Sequence, residues 1–359
     1  MFGLKKEKAV VGLDIGSYAI KAVELHARTK GKKSGYDVSK IGYERLPHDA
    51  IVEGSIIDPA AVVETIKALF EKSKIGNKDV VISISGNSVI VKKIALPVME
   101  TEELAESIIW EAKHNIPYPY EETHIDYAIL KPQPGAEERN LEILLVAVKK
   151  DKIAAYSNVV RQARKNLEAV EVDAFALYNA FEINYPEDFQ EKTTALVNMG
   201  ANITTLIIAE KGSPQLFRDL AIGGTYFLDN IRKDLNVGPD VAESLLRGEP
   251  HAEIPAREVE AVFALNVKSL LDEIEKMFTF YEAEDKREKK IEQIFLSGGL
   301  ANVTNLAAAF ASKFQVKTLL FDPFRQIPYD EKKLSPMYYQ EMASFFAVAV
   351  GLATRQKEK

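Results

Sequence analysis

Asp14 and Lys21 flank a Gly16–Ser17 turn inside the apolar stretch VVGLDIGSYAIKAVEL, residues 10–25. An acid, a glycine, a hydroxyl and a lysine grouped in this way can make a phosphate cradle. Backbone N–H groups at a glycine turn converge on an anion, the hydroxyl adds a donor and the lysine supplies charge. The acid can hold the water shell of a magnesium ion. The same residues also make an ordinary hairpin: Gly-Ser is common turn material, Asp14 can cap the turn and Lys21 can face water. One hairpin leaves both readings open.

Two more apolar stretches end in glycine-containing turns. TTALVNMGANITTLIIAEKG (193–212) repeats the opening pattern of strand, polar turn and returning strand, and its N-M-G-A can be laid over D-I-G-S. A short internal repeat of this kind suggests a duplicated core. Ile291 to Asn302 reads as a buried strand closing on Gly298-Gly299 before a helix.

The elements that must position these turns follow from periodicity. Between the first two hairpins, 28–35 reads as an exposed basic loop and 36–47 as strand. Asp58 caps and Pro59 starts a helix to Lys72 whose buried face is Val62, Ile66, Leu69 and Phe70. A strand spans 79–87 and another 88–98. A helix covers 101–116, with Thr101 and Glu103 at its start and Pro117 as its stop. Strands at 125–130 and 141–148 flank the polar loop 131–139, and 151–169 reads as one helix. Further on, helices are expected at 225–236, 239–247 and 256–284, and a closing helix rich in small apolar residues ends the chain.

At 359 residues the chain exceeds the usual single core, so at least two domains are expected. The net charge of −7 gives no electrostatic footprint for nucleic acid. With no cysteine, disulfides, thiolate catalysis and zinc–thiolate sites are excluded, which fits a reducing cytoplasm. No stretch reaches the roughly 20 apolar residues that span a bilayer. The MFGLKKEK start lacks the apolar region of a signal peptide and reads as a solvated tail.

The three glycine loops, in this order, resemble the actin–Hsp70–sugar kinase superfamily. The resemblance implies an α/β, actin-like ATPase fold of two lobes, each with a mixed sheet and flanking helices. It implies that two hairpins grip nucleotide phosphates from opposite lobes while the Gly-Gly loop lies against adenosine. Asp14, Gly16, Ser17, Tyr18 and Lys21 then fall in the first phosphate motif, with Asp14 holding magnesium through water. Asn198, Gly200, Ala201, Asn202 and Thr204 fall in the second, Gly298, Gly299 and Leu300 in the adenosine loop, and Gly223 and Gly224 beside it. Asp173, at the start of the helix V172-D-A-F-A-L-Y-N-A180, falls where a catalytic, water-positioning acid is often carried.

Residues after 88 are similar to the inserted subdomain of the FtsA branch. Within it, EAKHNIP (111–117), RDLAIGG (218–224), F278-x-x-Y281, L296-S-G-G-L-A and F346-A-V-A-V-G-L-A resemble the PilM family of type IV pilus assembly proteins. The implied division is 1–88 completed by 166–190 and 335–359, an insert at 89–165, then 191–230 completed by 291–334, and 231–290. The implied ligand is ATP with magnesium. The implied partner is the cytoplasmic tail of a PilN-type inner-membrane protein, lodged between the first subdomain and the insert, with strand 89–98 and Ile116-Pro117-Tyr118 as walls. Location would then be cytoplasmic and membrane contact indirect, through that partner and other pilus assembly components. An FtsA-like filament, with self-association, and a sugar kinase-type phosphotransferase are the alternatives on the same fold.

Two departures bear on catalysis. Asn198 stands where the second motif usually has aspartate, and brings no charge to orient water. The resemblance sets Glu243 in the family's nucleoside-side E-x-x-K, yet Leu246 occupies the lysine position and Arg247 follows one step later. Nucleotide binding is therefore expected, with at most slow hydrolysis.

Overall fold

The computed structural model describes residues 9–30, 33–130, 140–283, 290–330 and 341–355. The N-terminal basic cluster and the polar 131–139 loop lie outside them. Strand β1 (Val11–Ile15) turns at Gly16–Ser17 into β2 (Ala19–Lys30), which pairs antiparallel with β3 (Lys33–Arg45). The expected 28–35 loop is therefore largely strand, with Lys30 opposite Lys33 in the ladder. The basic, glycine-containing composition of 28–35 resembles a loop although its backbone pairs as strand.

A two-residue ladder, β4 (Ile51–Val52) with β5 (Ser55–Ile56), precedes α1 (Pro59–Lys72). Asp58 Oδ1 accepts the Ala61 N–H at 3.0 Å, and Val62, Ile66, Leu69 and Phe70 are buried, as the periodicity requires. After β6 (Asp79–Ile84) come β7 (Val89–Pro97), α2 (Thr101–Asn115), β8 (Thr123–Ile129), β9 (Asn140–Lys149), α3 (Lys150–Gln162) and β10 (Asn166–Val172). Pro117 holds Ile116 in extended backbone and so ends α2. The single helix expected over 151–169 breaks after Gln162. Arg164 takes a left-handed conformation (φ 60°), and Asn166–Val172 joins the first sheet beside β6.

Two five-stranded sheets result, and they share one topology. The first has the order β10-β6-β1-β2-β3. After α4 (Asp173–Asn184) and α5 (Pro186–Glu191), the second is built from β11 (Thr193–Met199), β12 (Thr204–Glu210), β13 (Ser213–Leu220), β14 (Gln293–Ser297) and β15 (Lys317–Leu320), in the order β13-β12-β11-β14-β15. Each is an antiparallel meander of three strands with two parallel strands added beside the first. Helices α6 (Gly224–Asp234), α7 (Pro239–Leu246) and α8 (Ala256–Ala283) interrupt the second sheet after β13, and α9 (Leu306–Phe314) links β14 to β15.

The third sheet, β7-β9-β8, packs Leu96, Ile143 and Leu145 against Leu104, Ile108 and Ala112 of α2. Helix α3 does not share that core. Its Tyr156, Val159 and Val160 join the core of the first sheet with α1. The unit that packs as an insertion is thus shorter than 89–165. The final helix, α10 (Ala347–Ala353), is wholly buried against α4 and β1. Contact there is too close for side chains: a Cβ on Gly351 would overlap the Ala176 carbonyl, and one on Gly12 the Ala349 carbonyl.

Candidate functional site

The two sheets bring their matching hairpin turns, β1–β2 and β11–β12, to the floor of one cleft. In the first turn, the register of the β1–β2 ladder sets Asp14 opposite Lys21, and Lys21 Nζ meets Asp14 Oδ2 at 2.7 Å. The lysine folds over Gly16, where an added Cβ would lie 3.1 Å from Nζ. A side chain at Gly16 would also press on Ala19 O, at 3.0 Å. Ser17 sits partly exposed at the tip.

The second turn is neutral. Gly200 N–H donates to Ile203 O at 2.9 Å, and Asn198 Oδ1 accepts from Ser297 Oγ at 3.0 Å, tying β11 to β14. Asn202 Oδ1 accepts from Thr225 Oγ1 at 2.7 Å. Gly224 and Thr225 N–H groups, at the start of α6, donate to the carbonyls of Gly200 and Ala201. A Cβ on Gly223 would lie 2.5 Å from Ala201 O, so Gly223 and Gly224 serve first to dock α6 on this turn. Thr204 is fully buried, with its hydroxyl on Ile222 O at 2.6 Å, so its side chain is committed to the fold.

In the third loop Gly298 takes φ +84°, and a Cβ there would overlap Met199 O. No other residue adopts that conformation in that space. Gly298 N–H donates to Ser344 O, and Gly299 lies against the Phe345 ring. Leu300 belongs to the core of the second sheet, which leaves only its backbone to meet a ligand.

Asp173 opens α4 at the cleft floor. Protein atoms crowd its carboxyl although part of the residue's surface is accessible. This burial, with the Asp14 carboxylate next in weight, pushes it up to about 6, while the hydroxyls of Ser83 and Ser85 pull the other way. Facing it is a residue the sequence did not single out. Lys152, in the first turn of α3, is buried and donates to Ser85 O. Burial lowers its ammonium below the ordinary lysine value, opposed by Asp173 and Asp219. Asp219 was also missed: its Oδ2 accepts the Gly86 N–H at 2.6 Å and its Oδ1 the Thr205 hydroxyl at 2.7 Å, so it joins the two sheets. These acids and lysines are distant in sequence, and no local spacing marks them as neighbours.

Glu243 and Arg247 do meet. Arg247 Nη1 lies 2.8 Å from Glu243 Oε1, so the one-residue shift still brings a cation to the acid, while Leu246 turns to the core. Glu243 also reaches across the cleft to Tyr18 and Arg45.

Beside the floor, a pocket of about 280 Å³ lies between the β7 edge, α4 and β13, lined by Gly86, Asn87, Val89, Val91, Val172, Ala174, Phe217 and Arg218 among others. Both β7 and β13 are sheet edges. Tyr118 stands at this end, its hydroxyl on Asn87 O at 2.7 Å, whereas Ile116 is core of the third sheet.

Among the described residues no group of three or more His, Cys, Asp or Glu could cage a metal. One carboxylate acting through water at Asp14 fits the usual way magnesium is carried on phosphates.

Known proteins share this architecture. Chain coordinates from the PilM-PilN type IV pilus biogenesis complex superpose with a TM-score of 0.85 at 24% identity, covering 98% of this chain and 100% of that one. MreB 5 of Spiroplasma citri, solved with AMPPNP bound, gives 0.51 at 15% identity over 96% of this chain and 94% of that one. Cell division protein FtsA of Bacillus subtilis (strain 168) is 21% identical over 316 residues, 81% of this chain and 69% of that protein. The fold is therefore that of the actin-like ATPases. Residues 12–357 match the sequence model of the family Type IV pilus assembly protein PilM, and the chain belongs to that family.

Proposed function

We propose that this protein is an actin-like scaffold of the type IV pilus assembly complex, binding the cytoplasmic N-terminal tail of a PilN-type inner-membrane protein. The pocket beside the open edge of β7 carries this reading. An unpaired strand edge offers main-chain donors and acceptors to an extended peptide, and a pocket beside it takes alternate side chains. Val89 and Val91 already pack on the rest of the chain, so the groove is set by the pocket rather than by a bare second face of β7. The described helices include none long and apolar enough to cross a membrane, and contact with one would run through the partner. Residues 89–149 would form the inserted subdomain, with α3 left to the first lobe.

ATP is the proposed ligand of the main cleft. Asp14, Gly16, Ser17 and Lys21 would hold its phosphates, with magnesium at Asp14 through water, and the Gly298 loop would lie near the base. Asp173 would position water, and Asn198 would keep turnover slow.

Peptide binding is tested by titrating a synthetic N-terminal tail of the PilN partner against the protein and against Val91→Asp and Arg218→Ala. Micromolar affinity or better, about −8 kcal/mol, is expected for the parent. Loss of about tenfold is expected for Val91→Asp, an unpaired charge set against the groove. Full affinity in both variants would place the groove elsewhere. Removing all of 89–165 would be a poorer test, because it strips α3 from the first sheet.

A further inference from the structure

Glu243 is the one acid of α7 that reaches the opposite half. Its Oε1 accepts from the Tyr18 hydroxyl at 2.5 Å and from Arg247 Nη1 at 2.8 Å, and its Oε2 from Arg45 Nη2 at 2.9 Å. Tyr18 projects from the first phosphate turn itself. Arg45 ends β3 opposite Ala19, and its guanidinium lies 4.6 Å above the Tyr18 ring. The partners of Glu243 across the cleft are 225 and 198 residues away in sequence.

At the base of the cleft, hydrogen bonds to main-chain carbonyls join the halves. Asn184 is fully buried and donates to Pro323 O, and Gly298 N–H donates to Ser344 O. The Glu243 cluster is different in kind. Arg45 and Arg247 are each half exposed or more, and exposed ion pairs are individually weak. Weak, shared contacts far from a fixed base suit a part that opens and shuts. Any ligand that spans the first turn and α7 must cross the line from Tyr18 to Glu243.

We propose that Tyr18, Arg45 and Glu243 form a latch that holds the two halves closed without nucleotide, and that a nucleoside triphosphate enters after Glu243 releases Tyr18 and Arg45. What enters rests on the nucleotide reading above; the closure itself does not.

The absence of cysteine allows clean labelling. Spin labels at His48→Cys and Asp240→Cys, both exposed, report the separation of the halves by pulsed electron resonance with no nucleotide present. Tyr18→Phe and Glu243→Gln each should lengthen and broaden the distance distribution. Arg247→Ala, which removes a contact within one side of the cleft, should leave it narrow. A fluorescent ATP analogue should associate roughly tenfold faster with the first two variants, the scale of one lost hydrogen bond to a charged group. Unchanged distances in both Tyr18→Phe and Glu243→Gln would overturn the latch. So would widened distances with an unchanged association rate. If the distances widen and neither parent nor variants bind the analogue, the closure stands and the nucleotide reading falls.

Discussion

The β1–β2 and β11–β12 turns occupy the same station in sheets of the same strand order, but their chemistry differs. The first is ionic: Asp14 pairs with Lys21 at 2.7 Å, and the second acid Asp173 and the buried Lys152 lie on the same floor. The second is neutral and knitted by Asn198–Ser297, Asn202–Thr225 and the N-terminus of α6. Topology needs only apolar strands and tight turns, so it repeats with either chemistry. Of the two turns themselves, only the first carries an ion pair.

Breaking the scaffold should have the largest effect. Gly351→Leu would drive a side chain into the Ala176 backbone where α10 meets α4. A loss of about 3 kcal/mol or more is expected, because backbone on both sides cannot yield. Urea melts measure it, and a loss under 1 kcal/mol would mean that the first half does not depend on that crossing.

Next comes the ionic floor. The carboxyl of Asp173 lies at about 6 against an ordinary 3.8, so the folded chain holds this proton more tightly than the unfolded one. Its contribution to stability is therefore present below about pH 4 and is lost as pH rises through about 6. Asp173→Asn should stabilise the protein at pH 8 by up to about 3 kcal/mol, with the gain vanishing near pH 4. Melts at both pH values decide; destabilisation at pH 8 would show that Lys152 holds the carboxylate more strongly than Asp14 strains it.

The two turns can then be compared directly. Asp14→Asn should weaken magnesium-dependent ATP binding by about tenfold or more, the scale of a charged hydrogen bond, while Asn198→Ala should change it little. Titrations in magnesium and in EDTA separate metal-linked affinity from the rest. Equal effects from the two substitutions would dissolve the contrast. The smallest expected change is in turnover: the parent should hydrolyse ATP well below about 1 per second, and Asn198→Asp should raise that rate only modestly. A parent at or above that rate would remove the explanation based on Asn198.

The elements were legible where a single pattern dominated. Asp58-Pro59 and the apolar face of α1 gave that helix to within a residue, and the strand–turn–strand repeat at 10–25 and 193–212 was visible as sequence. The reading failed where a break carried no glycine or proline. Arg164 turns left-handed and ends α3 without such a signal, although the alternation of NLEAVEV was available to mark β10. The glycine loops stand out in the sequence alone. Lys152, Asp219 and Arg45 do not, because their neighbours are made by packing: Asp219 meets Gly86 across 133 residues. Gly223, Thr204 and Leu300 show the converse, since residues in the expected places turn out to serve the fold.

The burial of α10 against β1 also sets an order on synthesis. The strands of the second sheet and the cover of one of its faces come from residues 193–320, a continuous run, while Leu196, Ile207 and Phe295 on the other face pack with Phe181, Tyr185 and Phe346. The first sheet begins at Val11 yet is covered on one face by Val348 and Leu352. As the chain leaves the ribosome, the second sheet can form and cover one face first, while the first sheet waits with an apolar face exposed until residue 353 has emerged. Nascent chains halted at residue 340 should protect β11–β14 amides from hydrogen exchange and leave β1 and β6 open. During that interval the first sheet is a natural client for a chaperone.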